Sequence, residues 1–297
     1  MLRNRNRRNS RHRNRGLQDP EIVNNNDIFK NSALKGKLDF NIYIKGKYKE
    51  SIGSKKNSNK KIVAYTSICP DHKNDGNQLV AISSWNKLGI SIYSINTMDE
   101  IRKLKGKYPT YVKFVPSTKT TNHIFGKPCI SINAMVDHFN SNNTGDILML
   151  INSDITLNAT LVYLDKIKNI SDSCITIAHR INHAVDFVNK KKYVYGFDVF
   201  FIDKKYVNIF PPSIYSMGQT WWDYWIPYVA IKNKIPTFIL SEDFAFHKEH
   251  DMQYSEKDWI KMTEYFKWEN NISIGSHQLI NDSTRNEILN NSISFKL

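Results

Sequence analysis

The 297 residues are 40% hydrophobic and 12% aromatic, enough for a substantial core in one large domain or two small ones, and carry a formal charge of +14. No stretch has the apolar length of a membrane span, and the opening residues read neither as a signal peptide nor as an amphipathic transit peptide. Cys69, Cys129 and Cys174 are far apart and none forms a Cys-x-x-Cys pair, which argues against a disulfide framework and a structural zinc site.

Half of the net charge sits in residues 1–16, where Arg3, Arg5, Arg7, Arg8, Arg11, Arg13 and Arg15 are spaced by Asn, Ser and His. With almost nothing to bury, this segment is expected to be disordered. It reads as an electrostatic arm for nucleic acid or another polyanion, or as a solubilising tail. Residues 17–59 are polar, with one alternating stretch at 40–44 that could be a strand and a Ser/Asn/Lys linker ending near Lys61.

The organised domain is expected from residue 60. Lys61–Ile68 reads as a buried strand, followed by a loop with Pro70, Asp71 and Gly76. Leu79, Ile82, Trp85 and Leu88 have helical spacing, and Gly89 closes that helix. Ile90–Ile95 is a second strand ending at Asn96. Met98–Leu104 is a short helix, Tyr111–Val115 a third strand, and Ile130–Phe139 a second substantial helix. Ile147–Ile151 is an unbroken apolar run, the mark of a strand covered on both faces. It stops at Asn152-Ser153-Asp154. This alternation predicts an α/β fold with a mostly parallel sheet, helices on both faces, and the loops after its strands gathered at one edge. Asp71, Asn96 and Asp154 are expected there. The chain carries neither a Gly-x-Gly-x-x-Gly turn after the first strand nor a P-loop, which excludes the ordinary dinucleotide-binding and P-loop NTPase classes.

In the second half, Cys174–Ala178 is a strand leading to His179 and Arg180. Tyr195–Ile202 is another, and an aromatic cluster follows at Trp221, Trp222, Asp223, Tyr224 and Trp225. Pro236–Leu240 is a short strand leading to Phe246-His247-Lys248-Glu249-His250-Asp251. Residues 256–268 form an amphipathic helix, expected as an extension over 256–297, and residues 269–297 carry no chemical signal. Asp154 either caps a turn or holds a hard divalent cation through oxygen. Asp223, flanked by indoles, needs a partner or a task, because a desolvated carboxylate is costly. Trp222 and Trp225 sit three apart on a helix and are either core or a platform for a sugar face. His247 and His250 are two metal ligands short of a complete set or surface histidines.

Three motifs in order, Gly196-Phe197-Asp198-Val199-Phe200, Trp222-Asp223-Tyr224-Trp225 and His247-Lys248-Glu249-His250-Asp251, after a strand ending in an Asp-containing triplet, resemble GT-A glycosyltransferases. The nearer likeness is to family 2-like bacterial and viral transferases, over about residues 60–255. The resemblance implies a Rossmann-like GT-A domain that moves a sugar from a nucleoside diphosphate donor, UDP being the common one, to a hydroxyl of a glycan, lipid-linked or protein acceptor. It implies that Thr66, Ser67 and Asp71 meet the nucleotide, that Asn96 contacts the base, and that Lys127 approaches the diphosphate. Asp154 stands where the last carboxylate of the Asp-x-Asp motif ligates Mn²⁺ or Mg²⁺, with His247 or His250 completing the contacts and Asn152 and Ser153 beside it. Asp223 stands where the general base does, which implies inversion, and His179, Arg180, Asp198, Trp222 and Trp225 are acceptor-side candidates. The departure is Asn152, an amide in place of the motif's first carboxylate, which brings no charge to the metal. A binding protein without transfer activity is the alternative reading, and a nucleic-acid-associated protein driven by the arginine arm is a third. The expected location is the cytoplasm or another reducing compartment, a viral or virion-associated setting included.

Overall fold

The computed structural model describes residues 59–71, 75–183, 190–250 and 255–295. The arginine-rich residues 1–16 and the alternating stretch at 40–44 lie outside them. The first four strands are β1 (Ile62–Thr66), β2 (Ser91–Asn96), β3 (Val112–Pro116) and β4 (Ile147–Ile151). They pair in parallel in the order β3-β2-β1-β4. Every residue of β1 and β4 is buried, so neither shows alternation in sequence. The crossovers carry α1 (Asp75–Lys87), α2 (Met98–Leu104), α3 (Asn122–Phe125) and α4 (Ile132–Asn142). Gly89 follows α1 with a left-handed φ of +72°, and α2 starts on a Thr97/Glu100 capping box.

The second half adds β5 (Ile155–Leu157), α5 (Leu161–Ser171), β6 (Ile175–Ala178), β7 (Ile181–His183), β8 (Lys191–Lys192) and β9 (Val199–Asp203). Then come α6 (Trp222–Lys232), β10 (Thr237–Leu240), β11 (Ala245–Lys248), α7 (Glu256–Glu269), α8 (His277–Asn291) and β12 (Ser292–Phe295). The large sheet runs β12-β10-β6-β9-β4-β1-β2-β3, and only β9 is antiparallel to its neighbours. The fold is therefore the mixed, mostly parallel α/β class that the alternation predicted.

Three short strands continue the chain beyond β4, β6 and β10. These are β5, β7 and β11, and with β8 they make a second sheet in the order β5-β11-β7-β8. This sheet was not foreseen, and neither was α5. The strand expected over 195–202 begins only at Val199, leaving Asp198 just outside it. The residues expected as an extension beyond 255 join the main core. Met262 and Phe266 of α7 and Ile280 and Ile288 of α8 share one apolar cluster with Val63, Tyr65, Leu148 and Phe200, and β12 adds an edge strand to the large sheet. Ile62, Ala64, Met149 and Phe201 alternate with that set and are equally buried on the other face, where α1 and α5 contact the sheet. Among the described residues no helix is long and apolar enough to cross a membrane.

Candidate functional site

The ends of β1, β2, β4 and β6 and the start of α6 enclose a cleft of about 1570 Å³. Its wall includes Ser67, Asp71, Lys127, Asn152, Ser153, Asp154, Arg180, Asp198, Trp222, Asp223, His247 and His250, all singled out from the sequence.

The second sheet explains why distant residues meet. The antiparallel pairing of β11 with β5 sets His247 opposite Ile155, the residue after Asp154. His247 Nε2 lies 3.4 Å from Asp154 Oδ2, His250 Nε2 lies 3.0 Å from the same oxygen, and the two Nε2 atoms are 3.1 Å apart. Cis ligands of an octahedral ion at about 2.1 Å are about 3 Å apart, so one divalent cation fits this spacing. Burial alone would raise the Asp154 pKa, but the two imidazoles outweigh it and hold the carboxyl well below the usual range. An ionised carboxylate and two imidazoles converging on one point make a donor set for a cation.

A second group forms around Asp198, whose side chain is 7% exposed. Its Oδ1 accepts from Asn152 Nδ2 at 2.7 Å and from Arg180 at 3.2 Å. Arg180 also donates to Asn182 Oδ1 at 2.9 Å and covers the Tyr193 ring at 4.1 Å, so its head is fixed. The amide at position 152 is thus a hydrogen-bond donor to a carboxylate.

Asp223 sits in the first turn of α6, with its carboxyl against Gly196. A methyl group on Gly196 would overlap Asp223 Oδ2, so the glycine of Gly196-Phe197-Asp198 is required by close approach. Burial, followed by the nearby charge of Asp198, pushes the Asp223 carboxyl up to about 7, against stabilising backbone N–H groups of its own residue, Phe197 and Tyr224. The helix begins on a strained residue: Trp221 has φ +73°, rare for a bulky side chain. Its Nε1 donates to Thr263 Oγ1 at 3.0 Å and its ring packs on Phe266, so α7 holds the strain in place.

Other sequence candidates face inward. Thr66 is fully buried, with its hydroxyl donating to Met217 Sδ at 3.7 Å. Asn96 is also fully buried, donating to Ile68 O at 2.9 Å and Glu100 Oε2 at 3.2 Å and accepting from Ser94 at 2.6 Å. It shapes the loop after β1 from beneath. His179 donates from Nδ1 to Gly196 O at 2.8 Å and stacks on Phe197, and burial lowers its pKa. Trp225 stacks on Tyr215 in the core, with ring centroids 4.9 Å apart, so it is no acceptor platform. Trp222 packs against Phe200 and is 3% exposed, although its edge borders the cleft.

Gln78 was not anticipated. It is fully buried on α1, and its Oε1 accepts from the Cys69 amide at 3.0 Å and from Ser153 Oγ at 2.6 Å. Its Nε2 donates to Cys69 O at 2.9 Å. One side chain therefore couples the loop after β1 to the Asn152-Ser153-Asp154 turn. A lone glutamine beside an apolar helix face was the available signal.

No protein-family model and no curated protein matches the chain. Among solved structures it is similar to a protein described as a glucose-1-phosphate thymidylyltransferase of Bacillus anthracis, solved with sucrose, at 11% identity and TM-score 0.38 over 73% of this chain and 98% of that one. It is similar to HddC of Yersinia pseudotuberculosis at 11% identity and TM-score 0.32, over 70% of this chain and 100% of that one. A 4-diphosphocytidyl-2C-methyl-D-erythritol synthase of Anaerococcus prevotii matches at 11% identity and TM-score 0.40, over 70% and 99% of the two chains.

Proposed function

We propose that this protein is a divalent-cation-dependent glycosyltransferase that moves a sugar from a nucleoside diphosphate donor, UDP in preference to GDP, to a hydroxyl on a glycan, lipid-linked or protein acceptor. The observation that carries the reading is one cleft in which Asp154, His247 and His250 converge at the end of β4 while the carboxyl of Asp223 is held near neutrality. A bound cation would neutralise charge on a leaving diphosphate. Two imidazoles with one carboxylate favour Mn²⁺ over Mg²⁺, which prefers an all-oxygen shell.

The residues divide the remaining work. Lys127, on the cleft wall, offers a cation to phosphate. Asp223 takes the proton from the acceptor hydroxyl, since a base poised near 7 combines availability with driving force. The negative Asp198 sustains that poise, and Arg180 and Asn152 keep Asp198 itself satisfied. A single base acting opposite the leaving group gives direct displacement and inversion.

Calorimetry with UDP and GDP, with and without Mn²⁺, on wild type and Asp154→Ala is the first test. Mn²⁺-dependent binding that disappears in the variant is the expected result, and no binding of either nucleotide would remove the reading. Asp223→Asn should keep donor affinity and lose transfer by about a thousandfold, and full activity in that variant would sink its role as base. The second reading, a nucleotide-sugar or glycan-binding protein without transfer, is motivated by Asn152. It predicts donor binding with no turnover in the wild type.

A further inference from the structure

We infer that Tyr195 is the platform of an acceptor subsite beside Asp223, and that the acceptor it takes is a pyranose ring; the subsite's role rests on the transferase reading above and narrows the acceptor to a glycan hydroxyl. Among the described residues, Tyr195 is the one Tyr, Trp or Phe of the cleft wall that is exposed, at 59%. Its backbone is nevertheless fixed. The Tyr193 amide donates to Arg180 O at 2.9 Å, Val194 O accepts from Arg285 Nε at 2.8 Å, and Tyr195 O accepts from the Tyr224 hydroxyl at 3.0 Å. A ring kept in water on so firmly held a segment forgoes the gain of burial.

The rings form a ladder with an arginine at each end. Arg180 covers the Tyr193 ring at 4.1 Å, Tyr193 meets Tyr195 edge to face with centroids 6.1 Å apart, and the Arg285 guanidinium lies 5.3 Å from the Tyr195 centroid. The inner end of the ladder reaches the proposed base, since a methyl group on Gly196 would meet both Tyr193 Cε1 and Asp223 Oδ2. Asn281 stands one turn before Arg285 on α8 and borders the cleft. Asn182 borders it too, and its Oδ1 accepts from Arg180.

This chemistry selects the ligand. An exposed aromatic ring suits the apolar C–H face of a sugar, and neutral amides with a carboxylate suit the hydroxyls at its edge. An anionic group is disfavoured, because Asp198 and Asp223 stand at this end and Arg180 is already paired with Asp198. A nucleobase would also stack, but the donor's base is proposed at the loop after β1. The strand order β6-β9-β4-β1-β2 sets Ser67 and Asp71 on the opposite side of Asp154 from Arg180 and Asp198.

The test uses the full chain with Mn²⁺ and UDP. Saturation-transfer NMR measures binding of the methyl glycosides of glucose, galactose, mannose and N-acetylglucosamine, beside a Ser/Thr peptide, to wild type, Tyr195→Ala, Tyr195→Phe and Asn281→Ala. A glycoside should bind wild type, weaken about tenfold in Tyr195→Ala, and stay within about threefold in Tyr195→Phe, which keeps the ring. Asn281→Ala should weaken it by about threefold or more, and it carries the test if Tyr195→Ala does not fold. Calorimetry should give unchanged affinities for UDP and UDP-glucose in every variant. Equal glycoside binding by wild type, Tyr195→Ala and Asn281→Ala would overturn the subsite. So would a matching loss for UDP-glucose, which would seat the donor's sugar there, or a wild type that binds UDP and the peptide but no glycoside. Tyr195-dependent glycoside binding without any nucleotide binding would keep the sugar site and remove the transferase reading, so the two fail separately.

Discussion

A carboxylate at position 152 would face Asp198 at the distance the Asn152 amide now spans, 2.7 Å. Two anions that close do not both ionise without cost. The departure from a two-carboxylate triplet thus follows from Asp198, which is already committed to Arg180 and to raising Asp223. Asn152→Asp should lose about 1–3 kcal/mol at pH 8, with a smaller loss at pH 5 where the pair can share a proton; urea melts at the two pH values measure both. Asp223 has the opposite signature. Its pKa is raised from an ordinary 3.8 to about 7, so between those values the folded protein holds a proton that the unfolded chain has lost. Stability should therefore fall as pH rises through that window and level off above it. Asp223→Asn should abolish the slope and be more stable than wild type above pH 7 by roughly 2–4 kcal/mol. Transfer should run the other way, rising with pH through about 7 as the base ionises, a limb absent from the variant. Sequence could mark Asp154, His247, His250, Asp198 and Asp223 because charged or imidazole groups beside apolar runs stand out. It could not orient Thr66 or Asn96, since one residue of shift at the end of a strand turns a side chain from cleft to core. Gln78 left only a weak signal, because one uncharged polar residue beside an apolar helix face sets no pattern of its own.

At the scale of elements, β4 was legible as an unbroken apolar run, and β1, β2 and β6 as short stretches rich in apolar and β-branched residues between turns and helices. The sheet β5-β11-β7-β8 was not, because its strands are four residues long or shorter and its register is set by pairing across the chain. The helix α5 did carry a signal, with Leu164, Ile167 and Ile170 three apart and all buried, but a polar turn after Asp154 masks its start. The helix α8 buries a narrow stripe of Ile280, Thr284 and Ile288, four apart, too thin to separate from a polar tail. The unforeseen elements matter to the site. Phe266 on α7 packs against both Trp221 and Tyr228, so it secures the strained residue that aims Asp223. Phe266→Ala should lose about 3–5 kcal/mol of stability. Transfer, read at a temperature where the variant is still folded, should fall further than donor binding, because the loss acts on the start of α6.

For the molecule as a whole, half of the net charge lies in the arginines of residues 1–16, outside the described residues. Deleting those residues should abolish binding to a polyanion such as heparin at low salt while leaving transfer within about twofold of wild type; a parallel loss of transfer would tie the arm to the reaction. The order of strands has a consequence in time. The outermost position beside β10 is filled by β12, which ends at Phe295, while β4 and β1, whose residues were made long before, lie at the centre. A ribosome releases the centre of this sheet first and its far edge last. Until residue 295 has emerged, β10 presents an unpaired edge and the apolar faces of α6 and α7 lack Ile280 and Ile288. The large sheet is therefore completed only after residue 295 has emerged, and until then the nascent chain is open to strand-to-strand association and to chaperones.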